Sequence, residues 1–309
     1  MNDLRIVSFL PAATEMVCAL GLAENLVGIT HECDFPPEIR DRPRVVRNAV
    51  SMDGLKPSEI DLAVRKQLRA GESLYYLDEN LLRDLAPNLV LAQDLCRVCG
   101  LSSEEMSRQF DALRPKPTVL TFNPRTLAGI EDNLRELAKT TGRLAQAEEQ
   151  IAAGRKKMQA VKQSIGNATQ PRVFCMEWVD PVYCGGHWFA EMIELAGGCD
   201  RLSSKGADSI RVPWEELLAW APEVLVIAPC GFDSANSLKQ ALQLRERPGW
   251  NEIPAVKKQR VYAVDANSYF ARPGPRVVAG VELLAHLIHP ELFNWNGPTE
   301  AFIHCSGVS

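Results

Sequence analysis

The sequence predicts an α/β protein of two Rossmann-like lobes with mainly parallel sheets, joined by one long helix. Three observations predict it. Short apolar, β-branched runs alternate with helix-patterned stretches in both halves of the chain, the pattern of parallel sheets with crossover helices. The opening RIVSFLPAATEMVCALGLAENLVGITHECDFPPE and the near-end VDANSYFARPGPRVVAGVELLAHLIHPE each pass from strand through a turn or loop into helix. Between the halves lies a polar stretch rich in Ala, Gln, Glu and Lys, with no turn signal strong enough to cut it. The predicted units are an N-terminal lobe at 1–142, a connecting helix at 143–168 and a C-terminal lobe at 169–309.

Residues 4–9 form a short apolar run that reads as a buried strand, broken by Pro11. Thr14 and Glu15 lie at the start of a helix that Gly21 ends. Leu26 to Thr30 is the second strand. Its exit is HECDFPP, where Pro36 and Pro37 forbid continuation inside a sheet. A helix follows Pro57, carrying Ile60, Leu62, Val64 and Leu68, and another covers about 78–85. Leu89 to Ala92 is a strand leaving through QDLCRVCG, followed by a helix near 102–113 and a strand at Val119 to Phe122. Leu127, Ile130, Leu134 and Leu137 make one apolar face of a helix at 126–141, ended by Gly142. A second helix covers 144–165; about 22 helical residues span roughly 33 Å, a sensible strut between lobes.

After Pro171 the alternation resumes. Arg172 to Met176 is a strand leading into Glu177 and Trp178. A helix at about 187–196 ends at Gly197-Gly198, and Pro213 opens one at about 213–220. Val224 to Ala228 is a strand leading into PCGF. Val261 to Val264 leads into the Tyr269–Arg272 loop, and the last long helix covers about 275–288.

A chain of 309 residues is long enough for two cores, and 46% hydrophobic with 24% charged residues is ordinary for a globular protein. The net charge of −5 argues against a nucleic-acid surface or an anionic-membrane surface, since either needs a basic patch. No apolar run approaches the roughly 20 residues of a membrane span. Nine cysteines, odd in number and unevenly placed, point to a reducing compartment. Arg5 followed by IVSFLPAA has some likeness to a signal peptide. However, Asp3 weakens a basic start, Glu15 interrupts the apolar run, and Val17 before Cys18 is not the small residue of a lipoprotein site. The expected location is therefore cytoplasmic, with periplasmic as the alternative.

Ligands of open parallel sheets sit at the carboxyl ends of strands. Those exits hold His31, Glu32, Cys33, Asp34 and Asp94 in the first half. In the second half they hold Glu177, Trp178 and the Phe270–Arg272 loop, with His187 and Trp188 in GGHW. Acids, thiols and a histidine would line one wall of a cleft between lobes. Trp178, Trp188, Phe270 and Arg272 would line the other, which suits a bulky organic ligand. Cys96 and Cys99 form a CxxC that is open to three readings: a pair of small loop cysteines, a redox pair, or half of a metal site completed by His31 and Cys33. GxSxG, GxxxxGK[ST], HExxH and a strand-linked GxGxxG are all missing from the sequence.

Taken together, LPAATEMVCALGLAENLVGITHECDFPPE, RVPWEELLAWAPEVLVIA and NSYFARPGPRVVAGVELLAHL resemble the substrate-binding proteins of ABC importers for cobalamin and iron-siderophores. Cobalamin-binding members are the nearest likeness. HECDFP, QDLCRVC and GGHW are similar to a subgroup described as lacking a secretory signal. The resemblance implies two lobes bridged by one helix, little closure, and cobalamin as ligand. It also implies contacts through Trp178, Phe270 and Arg272, and an ABC permease or a cytosolic corrinoid-handling protein as partner. The expected function is corrinoid binding without catalysis. The alternatives are a zinc or iron carrier using His31, Cys33, Cys96 and Cys99, and a cytosolic enzyme on the same frame in which a thiol such as Cys33 does nucleophilic work.

Overall fold

Strand β1 (Ile6–Ser8) is apolar on both faces and fully buried, so it can only sit inside a covered sheet. It pairs in parallel with β2 (Leu26–Thr30) and β5 (Leu89–Gln93). The computed structural model describes residues 4–49, 55, 57–70, 72–93, 110–111 and 113–305. The first sheet is completed by β3 (Arg44–Asn48), β4 (Tyr75–Leu77) and β6 (Thr118–Phe122), in the order β4-β3-β2-β1-β5-β6. All its pairings are parallel except β3 with β4.

Helices α1 (Pro11–Ala19), α2 (Pro57–Arg69) and α3 (Glu79–Leu85) connect these strands. Pro11 does more than end β1. It occupies the first turn of α1, where its fixed φ suits a helix and its missing N–H is not needed. Asp78 caps α3 by accepting from Leu81 N, a contact worth about 1 kcal/mol. Helix α4 (Leu127–Thr141) buries the predicted stripe at Ile130, Leu134 and Leu137, and α5 (Leu144–Ile165) follows as one unbroken helix of 22 residues.

The second sheet contains β7 (Val173–Val179), β8 (Val182–Cys184), β9 (Val224–Ile227), β10 (Val261–Val264) and β11 (Phe302–His304). Its order is β11-β10-β9-β7-β8. The three inner strands are parallel, and an antiparallel strand closes each edge. Its helices are α6 (Phe189–Leu195), α7 (Trp214–Trp220), α8 (Ser234–Gln243), α9 (Pro254–Lys257), α10 (Ala266–Tyr269) and α11 (Val277–Ile288). Phe174, Met176, Leu225, Ile227 and Ala263 form its core with Leu217, Leu244 and Trp250.

The chain divides into two compact units. The first holds residues 1–124 and 128–150, the second 125–127 and 151–309. The boundary thus falls within α5, and the short segment Arg125–Leu127 belongs to the second unit. Both units are mainly parallel α/β, as the sequence predicts. Strands β3, β4, β8 and β11 were not predicted: β4, β8 and β11 have only three residues, too few to show an alternation, and β3 is two valines flanked by arginines. The helix expected at 102–113 lies almost wholly outside the described residues.

Candidate functional site

In the first unit, β2 delivers its exit loop against β3. His31 N donates to Val46 O at 3.0 Å, and His31 Nδ1 lies 3.2 Å from the same oxygen. Arg44, on β3, holds the loop from below. Its guanidinium donates to the carbonyls of Thr30 (2.6 Å), His31 (3.1 Å) and Cys33 (3.0 Å). The loop therefore presents its side chains unevenly. Glu32 and Asp34 are exposed, and His31 is half-buried. Cys33 is 1% exposed, with its sulfur 3.1 Å from Thr14 Oγ1 and 3.6 Å from Thr30 Oγ1. That thiol faces α1 rather than the loop surface.

Asp94, Cys96 and Cys99 lie outside the described residues. Among the described residues no group of three or more His, Cys, Asp or Glu side chains is arranged to hold a metal ion. Two of the four expected metal ligands, Cys96 and Cys99, therefore lie outside the described residues, and of the other two the Cys33 sulfur lies within reach of two hydroxyls. Burial, with Glu38 and Glu15 nearby, pushes the Cys18 thiol up to about 12, and burial raises the Cys175 and Cys184 thiols as well. These three stay protonated at neutral pH and are poor nucleophiles.

In the second unit, three strand exits converge. Trp178 at the end of β7 and Phe232 beyond β9 are both half-buried, with ring centroids 5.8 Å apart. The β9 exit is tied to β7 by Cys230 N donating to Glu177 O at 3.3 Å. The β10 exit is tied to the β9 exit in turn, since Ala266 N donates to Phe232 O at 3.1 Å. Asp265 caps α10 through Ser268 N and fixes where that exit turns.

Phe270 was expected to touch ligand, but it is 0% exposed. Its ring packs 5.9 Å from Phe189, and its carbonyl accepts from Trp188 Nε1 at 2.8 Å. Trp188 is 3% exposed. Both are packing residues beneath the loop, because an indole N–H and a large ring are satisfied more cheaply inside than in water. Gly280 permits this: a Cβ there would lie 2.1 Å from Tyr269 O, so α11 can approach the backbone of α10 only without a side chain. Arg272 is half-buried in the same loop.

Glu177 organises the remaining geometry. The residue is half-buried overall, but its carboxylate is enclosed, accepting from Gly186 N at 3.1 Å and from Ser209 Oγ. Burial raises this carboxyl above the usual range, against the lowering effect of Ser209, Gly186 and His187. Gly186 is needed here, since a Cβ would lie 2.4 Å from Ser209 N. His187 follows with φ +54°, a left-handed backbone that no helix can include, so α6 begins at Phe189 and not at the expected 187. His187 N donates to Ala207 O at 2.6 Å, and Gly206 N donates back to His187 O at 2.9 Å. Its Nε2 lies 3.1 Å from Asp208 Oδ1, and Arg125 Nη1 lies 2.9 Å from the same carboxylate oxygen. The Arg125 guanidinium, then His187, holds the Asp208 carboxyl below the usual range.

Of the predicted residues, Glu177, Trp178 and His187 are gathered at one end of the second sheet, with Trp188 and Phe270 packed beneath. Phe232, Ser209, Asp208, Arg125 and Arg44 were missed. Phe232 stood in a recognised strand exit and could have been named. Asp208 and Ser209 sit in a polar loop without periodicity, and no local pattern marks them.

The periplasmic binding protein family model matches residues 6–268. The chain belongs to the periplasmic binding protein family. Among the family's relatives, the uncharacterized ABC transporter substrate-binding lipoprotein YvrC of Bacillus subtilis is 26% identical over 300 residues, covering 94% of this chain and 81% of that protein. A vitamin B12-binding protein of Vibrio cholerae is 24% identical over 282 residues, covering 90% of this chain and 86% of that protein. The crystal structure of a periplasmic heme binding protein from Pseudomonas aeruginosa matches with a TM-score of 0.70 and 19% identity, covering 93% of each chain.

These relatives overturn the cytoplasmic expectation. They are lipoprotein or periplasmic substrate-binding proteins, which favours the periplasmic alternative. The expectation rested on the residues before Cys18. The structure shows that Ile6–Ala19 is strand β1 and helix α1 of the fold, and a folded segment carries no information on compartment. Among the described residues no helix is long and apolar enough to cross a membrane.

Proposed function

We propose that this periplasmic binding protein captures a corrinoid, cobalamin or a close relative of it, and delivers it to an ABC permease without catalysing a reaction. The observation that carries the reading is the Trp178–Phe232 pair. Two half-exposed rings stand 5.8 Å apart where β7 and β9 end, in a sheet whose exits are cross-tied by backbone hydrogen bonds. Such a platform suits the apolar rim of a macrocycle, and Arg272 in the neighbouring loop adds a cation for amide oxygens or a phosphate. Cobalamin is favoured by a relative named for vitamin B12 binding and aligned over 90% of this chain. The fold itself also serves heme in the Pseudomonas aeruginosa protein, so an iron porphyrin is the competing macrocycle. A bare zinc or iron ion is disfavoured by the inward-facing Cys33 thiol, and catalysis by the relatives, which are substrate-binding proteins.

Titration with cyanocobalamin and hydroxocobalamin tests this, followed by visible absorbance and tryptophan fluorescence. Saturable binding that quenches fluorescence and weakens in Trp178→Ala is expected. Absence of binding by the folded protein would refute the reading.

A further inference from the structure

We propose that His187 is an axial ligand to the metal of the bound macrocycle, coordinating cobalt or iron through Nδ1. This rests on the macrocycle reading above and adds to it a metal centre with an exchangeable axial position.

The two nitrogens of His187 are treated differently. Nε2 faces Asp208 Oδ1 at 3.1 Å, and an ionised carboxylate can only accept, so Nε2 carries the proton. Among the described residues no hydrogen bond reaches Nδ1. Nor is Nδ1 among the buried unpartnered atoms of the described residues, so it is open to solvent and to a ligand. A metal-ligating imidazole instead binds the metal with one nitrogen and gives the other N–H to a carboxylate, which fixes tautomer and ring orientation. Asp208 supplies that carboxylate, and Arg125 holds it at 2.9 Å.

The backbone agrees. His187 pays for φ +54° in strain, which glycine would not, and bonds to Ala207 and Gly206 on both sides hold it there. Its ring stacks on Trp188 at 5.6 Å and 29°, with the side chain only 15% exposed, so the imidazole is locked in orientation. Gly186, immediately before it, is bonded to the Glu177 carboxylate at the end of β7, and the residue after Glu177 is Trp178 of the aromatic platform. Coordination is a ligand exchange. An axial metal–water bond breaks, the Nδ1 lone pair forms the metal–nitrogen bond, and water leaves. No electron or proton changes hands, and Nε2 keeps its proton, donated to Asp208.

The test uses cob(II)inamide, a corrinoid without a nucleotide base, so that any axial nitrogen comes from the protein. In electron paramagnetic resonance, one axial nitrogen splits each cobalt line into a triplet. The triplet is expected in the wild type and lost in His187→Gly, which tolerates the left-handed backbone. Free imidazole should restore it. Asp208→Asn is expected to keep the triplet with affinity lowered about 10-fold, the effect of losing an outer-shell carboxylate. A parallel arm with ferric heme reads low-spin conversion and its loss in His187→Gly, and separates the iron macrocycle from the cobalt one. Binding of cobinamide or heme with no axial nitrogen signal, or a signal that persists in His187→Gly, overturns the axial role and leaves the macrocycle reading standing. Failure of both macrocycles to bind overturns both.

Discussion

Replacing Gly186 by alanine tests how the β7–β8 end is built. The added Cβ would lie 2.4 Å from Ser209 N, 2.6 Å from Ser209 Oγ and 3.0 Å from Asp208 C. Two of these atoms are backbone, so no rotamer change relieves the clash. Reaching ordinary contact requires the 186–188 and 206–209 segments to part by about 1 Å, which stretches the 3.1 Å His187–Asp208 contact past hydrogen-bonding range. Overpacking of this kind costs about 1–3 kcal/mol. Losing the Gly186 N–H bond to the Glu177 carboxylate adds about 1.5–3 kcal/mol. The two effects overlap, and a loss of about 2–5 kcal/mol corresponds to a fall in Tm of roughly 5–15 °C for a unit of this size. Differential scanning calorimetry measures it. Gly154→Ala is the control: it sits in α5, meets only Val278 Cγ2 at 3.1 Å, and gains about 1 kcal/mol of helix propensity. If Gly186→Ala melts with the wild type, the steric account of this end of the sheet is wrong.

Three further outcomes are expected. Phe270→Ala should destabilise by about 3–5 kcal/mol, as a fully buried ring does, and Arg272→Ala should lose ligand affinity in titration; a Phe270→Ala protein with wild-type stability in chemical denaturation and weakened binding would return Phe270 to the binding surface. Arg44→Met should free the Thr30, His31 and Cys33 carbonyls, and hydrogen exchange of the amides at 31–34 should rise at least 10-fold, since each bond to a charged donor is worth about 1.5–3 kcal/mol; unchanged protection would refute the clamp. For Glu177 the folded carboxyl is raised above the unfolded value of about 4.3, so the folded state binds the proton more tightly. Its contribution to stability is then largest at low pH and is lost as pH rises from about 4.3 through the folded value. The stability difference between wild type and Glu177→Gln should shrink or reverse over that window in urea titrations, and a difference independent of pH would contradict the burial of the carboxylate.

The strand runs at 26–30, 89–92 and 261–264 were legible because a strand buried on both faces must be continuously apolar. The helix at 144–165 was legible because its polar composition holds no breaker. The exits of β2, β7, β9 and β10 followed from those strands. The orientation of a side chain within an exit did not follow. Cys33 and Phe270 looked like surface chemistry because both stand in polar or loop-like segments, yet one faces the hydroxyls of Thr14 and Thr30 and the other packs on Phe189.

By itself the sequence determined the α/β class, the strands β1, β2, β5, β6, β7, β9 and β10, the helices at 127–141 and 144–165, and the loops that hold the chemistry, since each depends on periodicity and breakers within about ten residues. Only the tertiary structure decided that Trp178 meets Phe232, that Glu177 holds Gly186 and Ser209, and that His187 lies between Trp188 and an Asp208 braced by Arg125. Those partners are up to 83 residues apart in the chain, and their pairing is set by sheet order and loop closure, which no local pattern records.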